Sequence, residues 1–221
     1  RTAVGLWESR FCETARAVCD VTASSITQLG ANAAALRELA EARGNLATRI
    51  IVDLTLTYLV ILLRDDDPAG ARACIEAAKA DWPRELPPDM ELRSLVARTQ
   101  IALYEDDPAA APLTLDRGRP QVFKQLWRFG FVRLSWAWWA GTAEIAWGES
   151  GPRLAKLRKH LRGPGGLERG IHDRLVSAER ALAGDPTGAA EAIEQAWAHF
   201  DGSGHAQLAL ALRAFVSGDP E

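Results

Sequence analysis

The chain has 221 residues, 26 Lys and Arg against 29 Asp and Glu, and a net charge of −3 with a pI near 5.9. No global field therefore draws it toward nucleic acid or an anionic membrane. Hydrophobic residues make up 48%, enough to close a sizeable core; Ala, Leu, Arg and Glu dominate, and the absence of long alternating β-branched runs indicates an all-α fold.

Apolar periodicity predicts helices in chain order. The first covers about 3–21 and weakens at Thr22-Ala23-Ser24-Ser25, and the second covers about 32–43 and stops at Gly44-Asn45. Next comes an apolar helix over 45–64, whose Leu46–Leu63 core approaches membrane length but carries Arg49, Asp53, Thr55 and Thr57. Charges at that depth are costly in lipid, so it reads as a buried central helix. A helix capped by Asp67 runs to Trp82, and one over 89–105 follows a loop marked by Pro83, Pro87 and Pro88. Pro112 keeps the next segment short, and Arg117-Gly118-Arg119-Pro120 closes it. Helices near 120–148, 152–162, 167–183, 186–200 and 204–217 complete about ten to eleven in all.

The joints between these helices repeat. Asp67-Pro68, Asp107-Pro108, Asp185-Pro186 and Asp219-Pro220, with Gly151-Pro152 as a degenerate member, each end one apolar stretch and open the next. Asp before Pro starts a helix, because the carboxylate caps free N–H groups and Pro tolerates the first helical position. The prolines stand 34 to 44 residues apart, and three positions after them sit Ala71, Ala111, Ala155 and Ala189. Antiparallel helices come closest near a tight turn, where only a small side chain fits. The period predicts a tetratricopeptide-like array of helix hairpins, an α-solenoid in which residues 1–221 form one helical-repeat domain. The chain opens on Arg1 rather than Met, and it reads as a piece of a longer protein.

The blocks LRELAEARGN (36–45), DDPAGARACIEAAKADW (66–82), RTQIALYEDDPAAA (98–111) and QLWRFGFVRLSWAWWAG (125–141) occur in that order. They resemble the tetratricopeptide-like helical region C-terminal to the catalytic domain of large bacterial serine/threonine protein kinases. Trp82, Leu103-Tyr104, Asp107 and the pair Arg128 and Arg133 stand at the places of that pattern, over roughly residues 32–148. Pro112 and the tryptophans at 127, 136, 138, 139 and 147 depart from it. The resemblance implies an interaction or sensory module, cytoplasmic and once attached to a kinase, that binds a protein or peptide partner or a small ligand. The helical effector-binding segment of a large bacterial transcriptional activator is the rival reading, since it has similar repeats. A kinase domain or a DNA-binding module in the parent sequence discriminates the two.

Residues that carry chemistry are few. No Gly-rich phosphate loop, catalytic-loop or metal-site motif of a kinase occurs, so the chain reads as non-enzymatic, with no cofactor. Gly163-Pro164-Gly165-Gly166 lacks the ending of a phosphate loop and reads as a turn. His160, His172, His199 and His205 have no metal-ligand spacing, and Cys12, Cys19 and Cys74 are odd in number without such spacing either. A reduced compartment fits that cysteine usage. Asp53 with Arg49 one turn earlier is a candidate buried polar pair. Leu154, Leu157 and Leu161 point Arg153, Lys156, Arg158, Lys159, His160 and Arg162 outward, as a solvated basic face. The candidate binding residues are Trp127, Arg128, Phe131, Arg133, Trp136, Trp138 and Trp139. Trp127, Phe131, Leu134 and Trp138 follow one helical stripe, and Trp136, Trp139, Ala143 and Trp147 follow a neighbouring one. They form either the core of a central helix or an aromatic groove rimmed by the two arginines.

Overall fold

The computed structural model describes residues 26–113, 121–148, 151–161, 163 and 165–202. Among these there are nine helices and no strand. The helices expected over 3–21 and 204–217, with Cys12, Cys19, His205 and the Asp219-Pro220 joint, lie outside the described residues. By contacts the chain divides into two compact units, 1–105 and 106–221.

The first unit holds α1 (Ile26–Ala42), α2 (46–64), α3 (Pro68–Ala80) and α4 (Pro88–Tyr104). Helix α2 is the centre: α1, α3 and α4 all pack on it. Its length and apolarity would suit a membrane crossing, yet it uses them to fill two cores. Val52, Leu56 and Val60 face Leu29 and Ala33 of α1. Ile50, Ile51, Leu54, Tyr58 and Leu62 face Ala71, Ile75 and Ala78 of α3 and Met90, Ala97 and Ile101 of α4. A fully buried aliphatic side chain contributes about 1.5–3 kcal/mol, so this seam dominates the unit's stability. Between the two faces α2 widens into a π turn over Asp53–Thr57, where the Tyr58 N–H reaches the Asp53 carbonyl.

The second unit opens on a single 3-10 turn, Pro108–Ala110, followed by α5 (Gln121–Leu126), α6 (Gly130–Ala146), α7 (Gly151–Arg158), α8 (Gly166–Leu182) and α9 (Pro186–Gly202). Helix α8 packs on α6, α7 and α9. The approach of α8 to α9 is close: a Cβ on Gly170 would stand 2.5 Å from the Phe200 ring. The expected continuous helix over 120–148 is in fact two, α5 and α6. Phe129 takes an extended conformation at the start of α6, and Arg133 Nη1 donates to the Trp127 carbonyl at 3.1 Å. One of the carbonyls freed by the break is thereby satisfied.

The turns follow one pattern. Asp67 accepts from the Gly70 N–H at 2.7 Å, Asp107 from Ala110 at 3.2 Å and Asp185 from Gly188 at 2.9 Å. Asn45 does the same for Thr48 at 3.2 Å. Immediately before each cap stands a left-handed residue: Gly44, Asp66, Asp106 or Gly184, with φ of 60°, 51°, 56° and 79°. The left-handed residue ends one helix and its neighbour starts the next. Ala71 has no exposed surface and Ala189 is buried, as the close-approach argument requires; Ala111 is also buried, but it follows the single 3-10 turn and lies in no helix. Ala155 is only half-buried, and it follows the Gly151-Pro152 start that lacks an Asp cap. Position Pro+2 is also constrained, because a Cβ on Gly70 or Gly188 would fall 2.1 Å from the capping carboxylate.

Candidate functional site

Helix α6 carries the tryptophans, and its sequence explains why it can. Ala137, Ala140, Gly141 and Ala143 make one side nearly smooth and fully buried; a Cβ on Gly141 would stand 2.6 Å from Leu175 of α8. Neighbouring helices therefore come close on that side, and the indoles project along its flanks.

The expected aromatic stripe divides into two clusters. Trp127 lies outside α6, so it leaves the stripe. It meets Trp136 edge to face at 5.6 Å between ring centres, and His160 joins both at 5.3 and 5.5 Å. Trp136 is 2% exposed, and its indole N–H is buried with no acceptor. Trp138 and Trp139 form the second cluster with Phe200, the Trp138 ring lying 6.4 Å from Trp139 and 6.0 Å from Phe200. Both indoles are half-buried, while Trp147 is exposed. Phe131 falls within α6, and its side chain lies outside the described residues.

The two arginines expected to rim a groove are held in different ways. Arg133 is half-buried and engaged by the Trp127 carbonyl. Arg128 is exposed and sits over the Phe129 ring at 5.0 Å. The cation at the aromatic cluster is instead Arg174 of α8. Its guanidinium carbon lies 4.3 Å from the centre of the Trp138 ring, and Nη2 donates to Thr142 Oγ1 at 2.9 Å. The Thr142 hydroxyl in turn donates to the Trp138 carbonyl at 2.8 Å. Among the described residues no carboxylate pairs with Arg174, and its Nη1 is buried without an acceptor. Burial pulls the guanidinium down to about 10, which leaves it charged at neutral pH. Nothing at the sequence level marked Arg174, because its partners lie 32 and 36 residues away.

Two other arginines of this unit have acid partners. Glu144 has no exposed surface and is ion-paired with Arg153: Nη2 donates to Oε1 at 3.1 Å, and Nε stands 2.7 Å from Oε2 without hydrogen-bond geometry. Arg158 pairs with Glu179 at 2.6 Å. Leu154, Leu157 and Leu161 are buried as expected, but two of the cations thought to be solvated outside are thus tied to acids, and His160 is in the aromatic trio. Asp173 lies between two histidines, 2.9 Å from His172 Nδ1 and 3.4 Å from His199 Nε2.

In the first unit Asp53 is buried, but its partner is not Arg49. Asp53 accepts from Thr57 at 3.0 Å and faces Arg37 Nε at 3.6 Å, whereas Arg49 reaches Asp81 at 2.5 Å. Burial holds the Asp53 carboxyl above the usual range, against the pull of Thr57, Arg37 and Arg49. Arg93 donates to Thr55 at 3.1 Å, and Tyr58 donates to Gln100. Burial, with the Asp53 charge, pushes the Cys74 thiol up to about 11, which leaves it a poor nucleophile. Among the described residues no group of three or more His, Cys, Asp or Glu is placed to hold a metal ion. A shallow depression of about 200 Å³ lies at the α1–α2 turn, lined by Ala40, Glu41, Gly44, Asn45, Leu46 and Arg49; it gathers no convergent polar groups of the kind a binding pocket uses. Comparison with protein-family models, with functionally described proteins and with solved structures finds no match.

Proposed function

We propose that the chain is a non-catalytic, tetratricopeptide-like helical-repeat module that binds a protein or small ligand, the C-terminal part of a bacterial serine/threonine protein kinase. The observation that carries this reading is the recurring turn: a left-handed residue, an Asp or Asn cap and, at three of the four, Pro at the first position of the next helix. A single turn type reused along a chain supports duplication of one hairpin unit, and stacked hairpins present extended surfaces suited to binding. The sequence resemblance over residues 32–148 supplies the kinase attachment. Calorimetric titration with Mg-ATP tests the non-catalytic part. No heat of binding is expected, since the Gly163–Gly166 loop that leads into α8 lacks the Lys and Ser/Thr ending of a phosphate loop; saturable binding would overturn it. The parent sequence tests the attachment, where a DNA-binding module in place of a kinase domain would favour the activator reading.

A further inference from the structure

We infer that Arg174, Trp138 and Thr142 form a receptor for the carboxylate of a small organic acid with an aromatic body. Arg174 is half-buried, but its Nη1 is sealed from water with no acceptor, and an unpaired buried donor on a cation is costly unless an acid or a ligand meets it. Within this unit Arg153 and Arg158 each have their acid, while Arg174 has one neutral hydroxyl and an indole face. The Thr142 oxygen serves only as an acceptor toward Arg174, because its own proton goes to the Trp138 carbonyl. The guanidinium fork is thereby oriented but left with Nη1 unused.

The chemistry of the occupant follows from these groups. A fork donor matches a planar carboxylate, and one guanidinium balances one negative charge. A phosphate monoester carries close to two charges at neutral pH and would leave one of them buried and uncompensated. The half-buried Trp138 and Trp139 supply aromatic edges for a ring on the same molecule, while the fully buried Phe200 backs them. Arg174 and Trp138 both keep part of their surface in solvent, which gives the acid an approach; binding requires Nη1 to turn toward that edge. The inference deepens the binding-module reading and rests on it. Loss of carboxylate binding would leave the Mg-ATP result standing, so the two fail separately.

The test is tryptophan fluorescence of the full chain titrated with phenylacetate, with phenylacetamide and inorganic phosphate as matched controls. Saturable quenching by phenylacetate is expected, with the amide weaker by about tenfold or more, as loss of a charge-assisted pair implies. Arg174→Gln should abolish the preference for acid over amide, and Thr142→Val should weaken phenylacetate about three- to tenfold. Arg174→Gln leaves no acid stranded, so its Tm should not fall; a large drop would mean that the guanidinium has a structural acid partner and would overturn the proposal. Equal affinity for acid and amide in the wild-type chain overturns it without any variant. Tighter binding of phosphate than of phenylacetate, or no saturable binding of phenylacetate, does the same.

Discussion

The two units bury charge in opposite ways. In the first, Asp53 sits at the π turn of α2 with a hydroxyl at 3.0 Å and a guanidinium at 3.6 Å that is still 43% exposed. In the second, Glu144 has no exposed surface and accepts one hydrogen bond from Arg153 at 3.1 Å, with the arginine Nε 2.7 Å from its other oxygen and the arginine side chain 19% exposed. Burial raises Asp53 above the usual carboxylate range, the mark of desolvation outweighing its partners. The two acids therefore differ in how closely a guanidinium meets them, at 3.6 Å for Asp53 and 2.7 Å for Glu144. The same comparison isolates Arg174, the half-buried cation of the second unit whose sealed Nη1 lacks an acid partner.

The sharpest break of this contrast is Arg153→Met. It leaves Glu144 buried and uncompensated, and the expected loss is about 3–5 kcal/mol by chemical denaturation. Replacing both partners, Glu144→Gln with Arg153→Met, should recover most of that loss, because no lone charge remains. If the double variant is no better than the single one, the ion pair is not what Arg153 contributes.

Next in size are the turns, where both units use the same device. Ala71→Leu should cost about 1–3 kcal/mol, since the side chain has no exposed surface and α2 and α3 are closest there. Ala155→Leu, at the equivalent but half-buried position after Gly151-Pro152, where no Asp precedes the Pro, should cost markedly less. Equal costs would show that the Pro+3 position is not defined by the capped turn. Asp67→Ala should lose about 1 kcal/mol with the cap to Gly70.

What the sequence revealed was local. A cap and its acceptor are three residues apart, so Asp67, Asp107 and Asp185 could be assigned from spacing alone, and periodicity found α2, α3, α4, α8 and α9 to within a few residues. The break at residues 127–129 was hidden because Arg128-Phe129-Gly130 contains no proline and the tryptophan stripe runs straight through it. The left-handed Asp66 and Asp106 were hidden because an aspartate before an Asp-Pro pair looks like one more polar residue. The site was the least legible part. Arg49 was matched with Asp53 because they share a helix face, while Arg49 pairs with Asp81, 32 residues away. Arg174 meets Thr142 across the same separation. Helical spacing says which residues share a face and not which face of another helix they meet.

The smallest expected effect tests the other side of the opening contrast. Asp53→Asn keeps the size and the Thr57 contact but removes the charge that burial disfavours. A carboxyl whose pKa is raised on folding contributes stability that is complete below its unfolded value, near 3.8, and that is lost as pH rises through the higher folded value. Above that folded value the wild-type chain has lost that contribution. Asp53→Asn should then melt no lower than the wild-type chain at pH 7, and its advantage should shrink as the pH approaches 3.8 and the aspartate takes up its proton. Glu144→Gln made alone supplies the contrast, because it strands the half-buried Arg153 and should destabilise at pH 7. Thermal melts of both variants at pH 7 and pH 4 decide the matter. A drop in Tm for Asp53→Asn at pH 7, as large as that of Glu144→Gln, would mean that Arg37 grips Asp53 as firmly as Arg153 grips Glu144, and the distinction between the two buried acids would fall.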